Sequence, residues 1–141
     1  MAIRAYISFS FNRRLLIKNE ISTIVNTLNE NFISAIVFVD KYRFELSQER
    51  EMMQKAFEEI DNCDILIAET SEKGIGIGVE VGYAKGKGKT VIYLRQKDTE
   101  HSTTVSGSSN FQIIYSDSND LRIQLLELIP IVLSLKAAHS K

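Results

Sequence analysis

The chain has 141 residues, a formal net charge of −1 and a single cysteine, Cys63, so we expect one domain over residues 1–141 with a substantial core and no internal disulfide. The near-neutral charge does not favour a nucleic acid polymer as a partner, and the lone cysteine indicates a reducing, cytoplasmic environment. No apolar run approaches the ~20 residues that span a bilayer, and a strand pattern begins too early for a signal peptide, so no membrane association is expected.

Strand patterns alternate with helical patterns along the chain. Strands are predicted at residues 2–9, 33–39, 64–68, 90–94 and 111–115, helices at 13–30, 47–62, 78–87 and 120–135, and loops at 40–44 and 96–110. Pro130 is expected to kink the last helix. The alternation predicts parallel βαβ units with helices on both faces of a five-stranded, doubly wound α/β sheet of order 2-1-3-4-5.

A cluster of glycines follows the third predicted strand. Six of the seven glycines lie between Gly74 and Gly88. A strand, a glycine-rich turn and a helix start favour anion binding, because free N–H groups and the helix dipole face the ligand. The spacing matches neither the dinucleotide fingerprint nor the P-loop, and a tight turn with close helix packing is the alternative. Gly74, Gly76 and Gly78 are therefore candidate binding residues.

Glu80 is predicted in the first turn of the helix that follows these glycines. Its carboxylate would repel a phosphate placed directly on it. One interpretation is that Glu80 simply complements the helix dipole. The other is a nucleophile or base at the anomeric carbon of a sugar, since glycosyl transfer through a covalent intermediate needs such a carboxylate.

A second polar stretch follows the first strand and contains Ser8, Ser10, Asn12 and Arg13. These residues could cap and begin a helix, or bind a phosphate or sugar hydroxyls, with Arg13 as a forked donor. Ligands of doubly wound sheets bind beyond the carboxyl ends of the strands, at the switch point between strands 1 and 3. The two polar stretches should therefore meet at one crevice.

Other reactive residue types give weaker signals. The two histidines and Cys63 are too far apart for a zinc-ligand pattern, so no metal site is expected. Cys63 precedes a strand and is predicted to be buried rather than reactive. The polar residues 101–104 are predicted to belong to a surface loop. No Ser-His-Asp pattern stands out.

Four segments together resemble the nucleoside 2-deoxyribosyltransferase superfamily, in particular its 2'-deoxynucleoside 5'-phosphate N-hydrolases. They are Tyr6 in the first strand, the strand Asp64–Glu69, the core Gly76-Ile-Gly-Val-Glu-Val-Gly-Tyr-Ala84 and the segment Gly88–Tyr93. The likeness covers nearly the whole chain and is most specific in the Gly-x-Gly-x-Glu-x-Gly-x-Ala core.

This resemblance implies a flavodoxin-like, Rossmann-like three-layer sandwich, a homodimer, and cleavage of a nucleoside or nucleotide N-glycosidic bond without a cofactor. Glu80 corresponds to the family's nucleophile, which forms a glycosyl ester, and Tyr6 to the tyrosine that orients it. Ser102 corresponds to a serine that reaches the phosphate site of the neighbouring subunit. Ser10 and its neighbours correspond to the phosphate-facing loop.

Three positions depart from the family pattern. Ala56 stands where the family carries an aspartate that assists departure of the base, Gly74 where it carries a phosphate-contacting serine, and Asn12 where it carries an arginine, although Arg13 is adjacent. Glu49 or Glu51 would substitute for the acid only in a different helix register. General acid assistance is typically worth ~10²–10⁴-fold, so its loss bears directly on turnover.

Three functions follow as alternatives. The first is an N-glycosidase or deoxyribosyltransferase that uses Glu80. The second, motivated by Ala56, is a nucleotide-binding or sensor domain that has lost the general acid. The third is an interaction domain with a vestigial site.

Overall fold

The structure is a computed structural model that describes residues 2–10 and 17–139. Its strands are β1 (Ile3–Phe9), β2 (Ile33–Val37), β3 (Ile65–Glu69), β4 (Thr90–Gln96) and β5 (Phe111–Tyr115). Its helices are α1 (Lys18–Glu30), α2 (Phe38–Lys41), α3 (Glu49–Asp61), α4 (Ile75–Gly86), α5 (Thr103–Gly107) and α6 (Ser118–His139).

The five strands form one parallel sheet of order β2-β1-β3-β4-β5, which confirms the predicted doubly wound order. The switch point lies between β1 and β3, where Phe9 is paired with Glu69 at the carboxyl ends of both strands. The β-branched residues of these strands favour extended backbone and are buried on both faces of the sheet.

Two hydrophobic layers enclose the sheet and give the predicted three-layer arrangement. On one face, α1 and α6 pack apolar residues such as Ile24 and Leu125 against the odd-numbered residues of β1 and β3. On the other face, Ile60 of α3, Val81 of α4 and Val105 of α5 pack beside Tyr6. The side chain of Tyr6 therefore points toward the layer that contains α4.

The glycine-rich turn is shorter than predicted. Gly74 is the N-cap of α4, so Gly76 and Gly78 lie inside the helix, and Glu80 lies in its second turn rather than its first. Glycine costs a helix about 1 kcal/mol relative to alanine but does not prevent it. Among the described glycines only Gly88 has a positive φ, 73°. The packing of α4 against the sheet outweighs the weak local preference of the glycines for a turn.

Two predicted boundaries were wrong. The second strand ends at Val37, and the apolar residues Phe38 and Val39 begin the single turn of α2. Residues 96–110 are not one loop, because α5 forms within them with Ser102 as its N-cap; the Ser102 hydroxyl accepts from the Val105 N–H at 3.4 Å. A short apolar run and a single capped turn give too little periodicity to be identified from the sequence.

The two terminal helices differ from prediction in extent. The first four residues of the predicted helix 13–30, together with Asn12, lie outside the described residues. The last helix is longer than predicted and continues on both sides of Pro130. Within the described part of the chain, no helix combines the length and apolarity needed to cross a membrane.

Candidate active site

The carboxylate of Glu80 lies at the carboxyl end of β1, held by two hydroxyl donors. The Tyr6 hydroxyl donates to Oε2 of Glu80, and the Ser8 hydroxyl donates to Oε1 at 2.7 Å. Tyr6 and Ser8 are two residues apart on a strand, so both side chains point to the face that α4 covers. Each carboxylate oxygen thus accepts one fixed hydrogen bond and retains a further lone pair.

Burial controls the protonation of both partners. It raises the pKa of Glu80 above its ordinary value of 4.5, while the hydrogen bonds from Tyr6 and Ser8 act in the opposite direction. Burial, followed by the charge of Glu80, raises the pKa of Tyr6 well above its usual range. Tyr6 therefore remains a hydroxyl donor at every physiological pH, and Glu80 is the member of the pair that titrates.

The two polar stretches of the sequence meet at the switch point, as predicted. Ser10 donates to Oε1 of Glu72 at 2.9 Å, and a Cβ placed on Gly74 would lie 3.8 Å from the Cβ of Ser10. Ser8 contacts Glu80 directly, whereas Ser10 faces the turn before α4. Asn12 and Arg13, the other two candidates of the first stretch, lie outside the described residues.

A cavity of about 530 Å³ opens between the start of α4 and the start of α5. It is lined by Thr70, Lys73, Gly74, Ile75, Ile77, Gly78, Ser102, Thr103, Thr104 and Val105. Gly74 and Ser102 therefore share one cavity of the same chain, while Gly76 is not part of its lining. Gly74, the N-cap of α4, provides no side-chain cap for the first turn of the helix.

Tyr93 anchors the α5 side of this cavity, a role that sequence reasoning missed. Its fully buried hydroxyl accepts from the Ser102 N–H at 3.0 Å and lies 3.2 Å from Nδ1 of the exposed His101. The residue appeared in the sequence only as part of an apolar strand. Its side-chain partners come from eight and nine residues further along the chain and carry no periodic signal.

A buried carboxylate on α3 was also missed. Glu59 is only 6% exposed; Lys41 donates to both of its oxygens, at 3.2 and 3.3 Å, and Tyr42 donates to Oε1 at 2.9 Å. It shares the buried face of α3 with Ala56 and Ile60. That i, i+3, i+4 spacing was the available signal. The two alternatives offered from the sequence, residues 49 and 51, are both exposed in the first turn of α3.

A second buried carboxylate, Glu69, supports the turn before α4. It accepts from the Ser71 N–H at 2.8 Å, from the Ser71 hydroxyl at 2.7 Å and from the hydroxyl of Tyr115. Ser71 also accepts from the Gln96 N–H at 2.9 Å. Burial, followed by the charge of Glu69, raises the pKa of Tyr115 well above its usual range, so this tyrosine remains a donor. The network ties β3, β4 and β5 together beneath the site.

The remaining candidates have simple environments. Cys63 is buried, as predicted, and burial raises the pKa of its thiol to about 11, so little thiolate forms near neutral pH. In the described parts of the chain, no three histidine, cysteine, aspartate or glutamate side chains are grouped so that they could hold a metal ion.

Comparison with known families gives one match that covers most of the chain. The family model described as nucleoside 2-deoxyribosyltransferase matches residues 13–125. A curated relative from Thermofilum pendens, which carries the provisional name 2'-deoxynucleoside 5'-phosphate N-hydrolase 1, is 30% identical over 86 residues. The alignment covers 57% of this chain, and the chain spans about 60% of the length of that relative.

Solved structures share the fold at low sequence identity. The CMP N-glycosidase of Clostridium botulinum superposes with a TM-score of 0.66 at 20% identity, covering 86% of this chain and 97% of the other. The 2-deoxyribosyltransferase of Bacillus psychrosaccharolyticus also gives 0.66, at 16% identity, covering 84% and 90%. These likenesses establish the three-layer α/β architecture.

Proposed function

This chain belongs to the nucleoside 2-deoxyribosyltransferase family, and on that premise we propose that it cleaves or transfers the N-glycosidic bond of a nucleoside or nucleotide through Glu80. The observation that carries the proposal is the geometry of Glu80, a partly buried carboxylate held by Tyr6 and Ser8 at the switch point of the sheet. In doubly wound folds this is where ligands bind.

In the proposed reaction an oxygen of Glu80 attacks C1' of the sugar. A C–O ester bond forms, the C1'–N bond breaks, and the base leaves with the bonding electron pair and takes up a proton. Water or a second base then attacks C1' and releases the carboxylate. Tyr6 and Ser8 fix the direction of attack, which lowers the entropic part of the barrier.

The cavity between α4 and α5 is proposed to receive the 5' substituent of the substrate. The first turn of α4 after Gly74, the open space above Gly78 and the hydroxyl of Ser102 suit a phosphate, and Lys73, whose ammonium is paired with the exposed Glu100 at 2.9 Å, lies at the lining. Ser8 and Glu80 are proposed to face the sugar, whereas Ser10, Asn12, Arg13 and Gly76 remain proposed contacts on the sequence pattern and the resemblance.

A homodimer and a cytoplasmic location complete the proposal. The resemblance supports the dimer, and the single cysteine of the chain supports the location. Light scattering coupled to size-exclusion chromatography tests the dimer; a mass of 16.0 kDa would indicate a monomer instead.

Binding without turnover is the second candidate. Ala56 occupies the position that the resemblance assigns to an acid, and Glu59, one turn further, already accepts three hydrogen bonds from Lys41 and Tyr42. A nucleotide could therefore be bound while its base lacks a proton donor. In that case the ligand would stabilise the protein and never be consumed.

Release of free base distinguishes the two candidates. The protein is incubated with each deoxynucleoside and ribonucleoside monophosphate, and free base is followed by chromatography. We expect release by the wild type and by Glu58→Gln, which changes an exposed carboxylate of α3, and none by Glu80→Gln. Turnover by Glu80→Gln at the wild-type rate would contradict the mechanism. Thermal stabilisation without any release would favour the binding function.

A further inference from the structure

Three aromatic side chains form a half-exposed cluster beside the proposed nucleophile. Phe38, Tyr42 and Phe44, here called the aromatic wall, have ring centroids 5.1 to 6.3 Å apart. Phe38 and Phe44 are nearly parallel, with an interplanar angle of 11°. All three are partly exposed, so the wall is not simply a piece of core.

The aromatic wall is continuous with the Glu80 site. The ring of Phe38 lies 6.4 Å from the ring of Tyr6, whose hydroxyl donates to Glu80. The wall therefore adjoins, through Tyr6, the carboxylate at which the sugar is proposed to bind, in the layer that contains α3 and α4. Aromatic rings pack favourably on other planar rings, in offset or tilted arrangements.

Glu59 connects this wall to the rigid layer of the fold. Its carboxylate, buried on α3, accepts from Lys41 at the end of α2 and from the hydroxyl of Tyr42. Lys41 also lies over the ring of Tyr42, at 5.3 Å from its centroid. The segment that carries the wall is thus fixed at two adjacent residues, because Glu59 binds both Lys41 and Tyr42 and Lys41 also covers the ring of Tyr42. The helix α2 that precedes Tyr42 is only four residues long.

We propose that the aromatic wall binds the heteroaromatic base of the substrate, and that Glu59 is a positioning residue that holds the wall through Lys41 and Tyr42. The inference rests on the proposed function, since it takes the sugar to be at Glu80. It assigns Glu59 a role other than proton donation, which agrees with the three hydrogen bonds that its carboxylate already accepts.

The test compares a ligand that contains the base with one that lacks it. Binding of 2'-deoxynucleoside 5'-monophosphates and of 2-deoxyribose 5-phosphate is measured by calorimetry, in a Glu80→Gln background so that nucleotide is not consumed. Phe44→Leu should weaken nucleotide binding about tenfold, because it removes a ring on which the base is proposed to stack. Binding of the sugar phosphate should stay unchanged.

Glu59→Gln should give the same pattern as Phe44→Leu, a loss for the nucleotide and none for the sugar phosphate. Lys41→Met removes the ion pair from its exposed side and should act in the same direction, which keeps the test usable if Glu59→Gln folds poorly. Phe32→Leu is the matched control, because Phe32 is 92% exposed in the turn before β2; it should change neither affinity.

Each other result has a distinct meaning. Nucleotide affinity that is equal in Phe44→Leu, Glu59→Gln and the parent overturns the inference and leaves the proposed function standing. An equal loss for both ligands also overturns it, because the wall would then act on the whole site. The expected pattern together with no base release by the wild type overturns the proposed catalysis but supports the wall. No nucleotide binding by the Glu80→Gln parent overturns the inference, and together with no base release by the wild type it overturns both.

Discussion

The hydroxyl of Ser8 donates to Oε1 of Glu80 at 2.7 Å and joins residues 72 positions apart in the sequence. This contact links the carboxyl end of β1 to the second turn of α4. Together with the hydrogen bond from Tyr6, it fixes both oxygens of a carboxylate that burial makes costly to ionise. A fold that keeps such a group maintains it at the expense of stability, as functional sites commonly do.

Glu80→Gln should therefore be more stable than the wild type near neutral pH. Burial raises the pKa of Glu80 in the folded protein above 4.5, so the contribution of Glu80 to stability is greatest below pH 4.5 and falls as the pH rises through the folded pKa. Glutamine carries no charge and does not follow this trend. Thermal unfolding across pH 4 to 8 measures the difference, which should grow with pH; a difference that is constant with pH would contradict the assignment.

Tyr6→Phe should slow turnover and shift its pH profile. The Tyr6 hydroxyl lowers the pKa of Glu80, so its removal should move the acid limb of kcat/KM to higher pH. A hydrogen bond to a charged group contributes about 1.5–3 kcal/mol, which corresponds to a loss of about 10- to 100-fold. Tyr83→Phe is the control, since that hydroxyl donates to the exposed Asp61 at 2.8 Å, and its pH profile should match the wild type.

Gly78→Ala should stabilise the protein and weaken its binding of phosphate-containing ligands. No heavy atom lies within 4 Å of a Cβ built on Gly78, and this residue lines the cavity. Alanine should add about 0.5–1 kcal/mol to the free energy of unfolding through helix propensity. Gly82→Ala has the same open surroundings but lies outside the cavity lining. Gly82→Ala should raise the free energy of unfolding by the same amount and leave ligand affinity unchanged. If Gly78→Ala and Gly82→Ala bind the ligand equally well, the substrate does not occupy this cavity.

Tyr115→Phe should destabilise the fold without changing the pH dependence of turnover. The substitution removes the hydroxyl that donates a hydrogen bond to the buried carboxylate of Glu69. Loss of one hydrogen bond to a buried group lowers the free energy of unfolding by about 1–3 kcal/mol. Urea denaturation measures the loss. An unchanged midpoint would show that the Glu69 network does not support the sheet as proposed.

The sequence was sufficient for the architecture. Alternating strand and helix patterns predicted the parallel sheet, because a crossover between parallel strands requires an intervening segment and has a preferred hand, and five such strands favoured the order 2-1-3-4-5. The rule that ligands of doubly wound sheets bind at the switch point placed Ser8, Ser10 and Gly74 near one another. The position of Cys63 just before a strand predicted that its side chain is buried.

The local form of the site was less predictable. Glycines at 74, 76 and 78 indicated a long turn, yet α4 begins at Ile75, because packing of Ile77 and Val81 against the sheet outweighs the weak helix propensity of glycine. The same reason moved Glu80 from the first turn of the helix to the second. Single-turn elements such as α2 and α5 were not identified, since four or five residues carry no period.

Composition and periodicity by themselves determined the doubly wound fold and the meeting of two polar stretches at its switch point, since both depend on patterns that repeat along the chain. The family resemblance implied the pairing of Tyr6 with Glu80, but tertiary structure alone decided that Ser8 also reaches Glu80 and that Glu59 is a buried carboxylate. Glu80 is held by Tyr6 and Ser8, and Glu59 by Lys41 and Tyr42. Such contacts depend on rotamers and helix register, and no one-dimensional pattern encodes these.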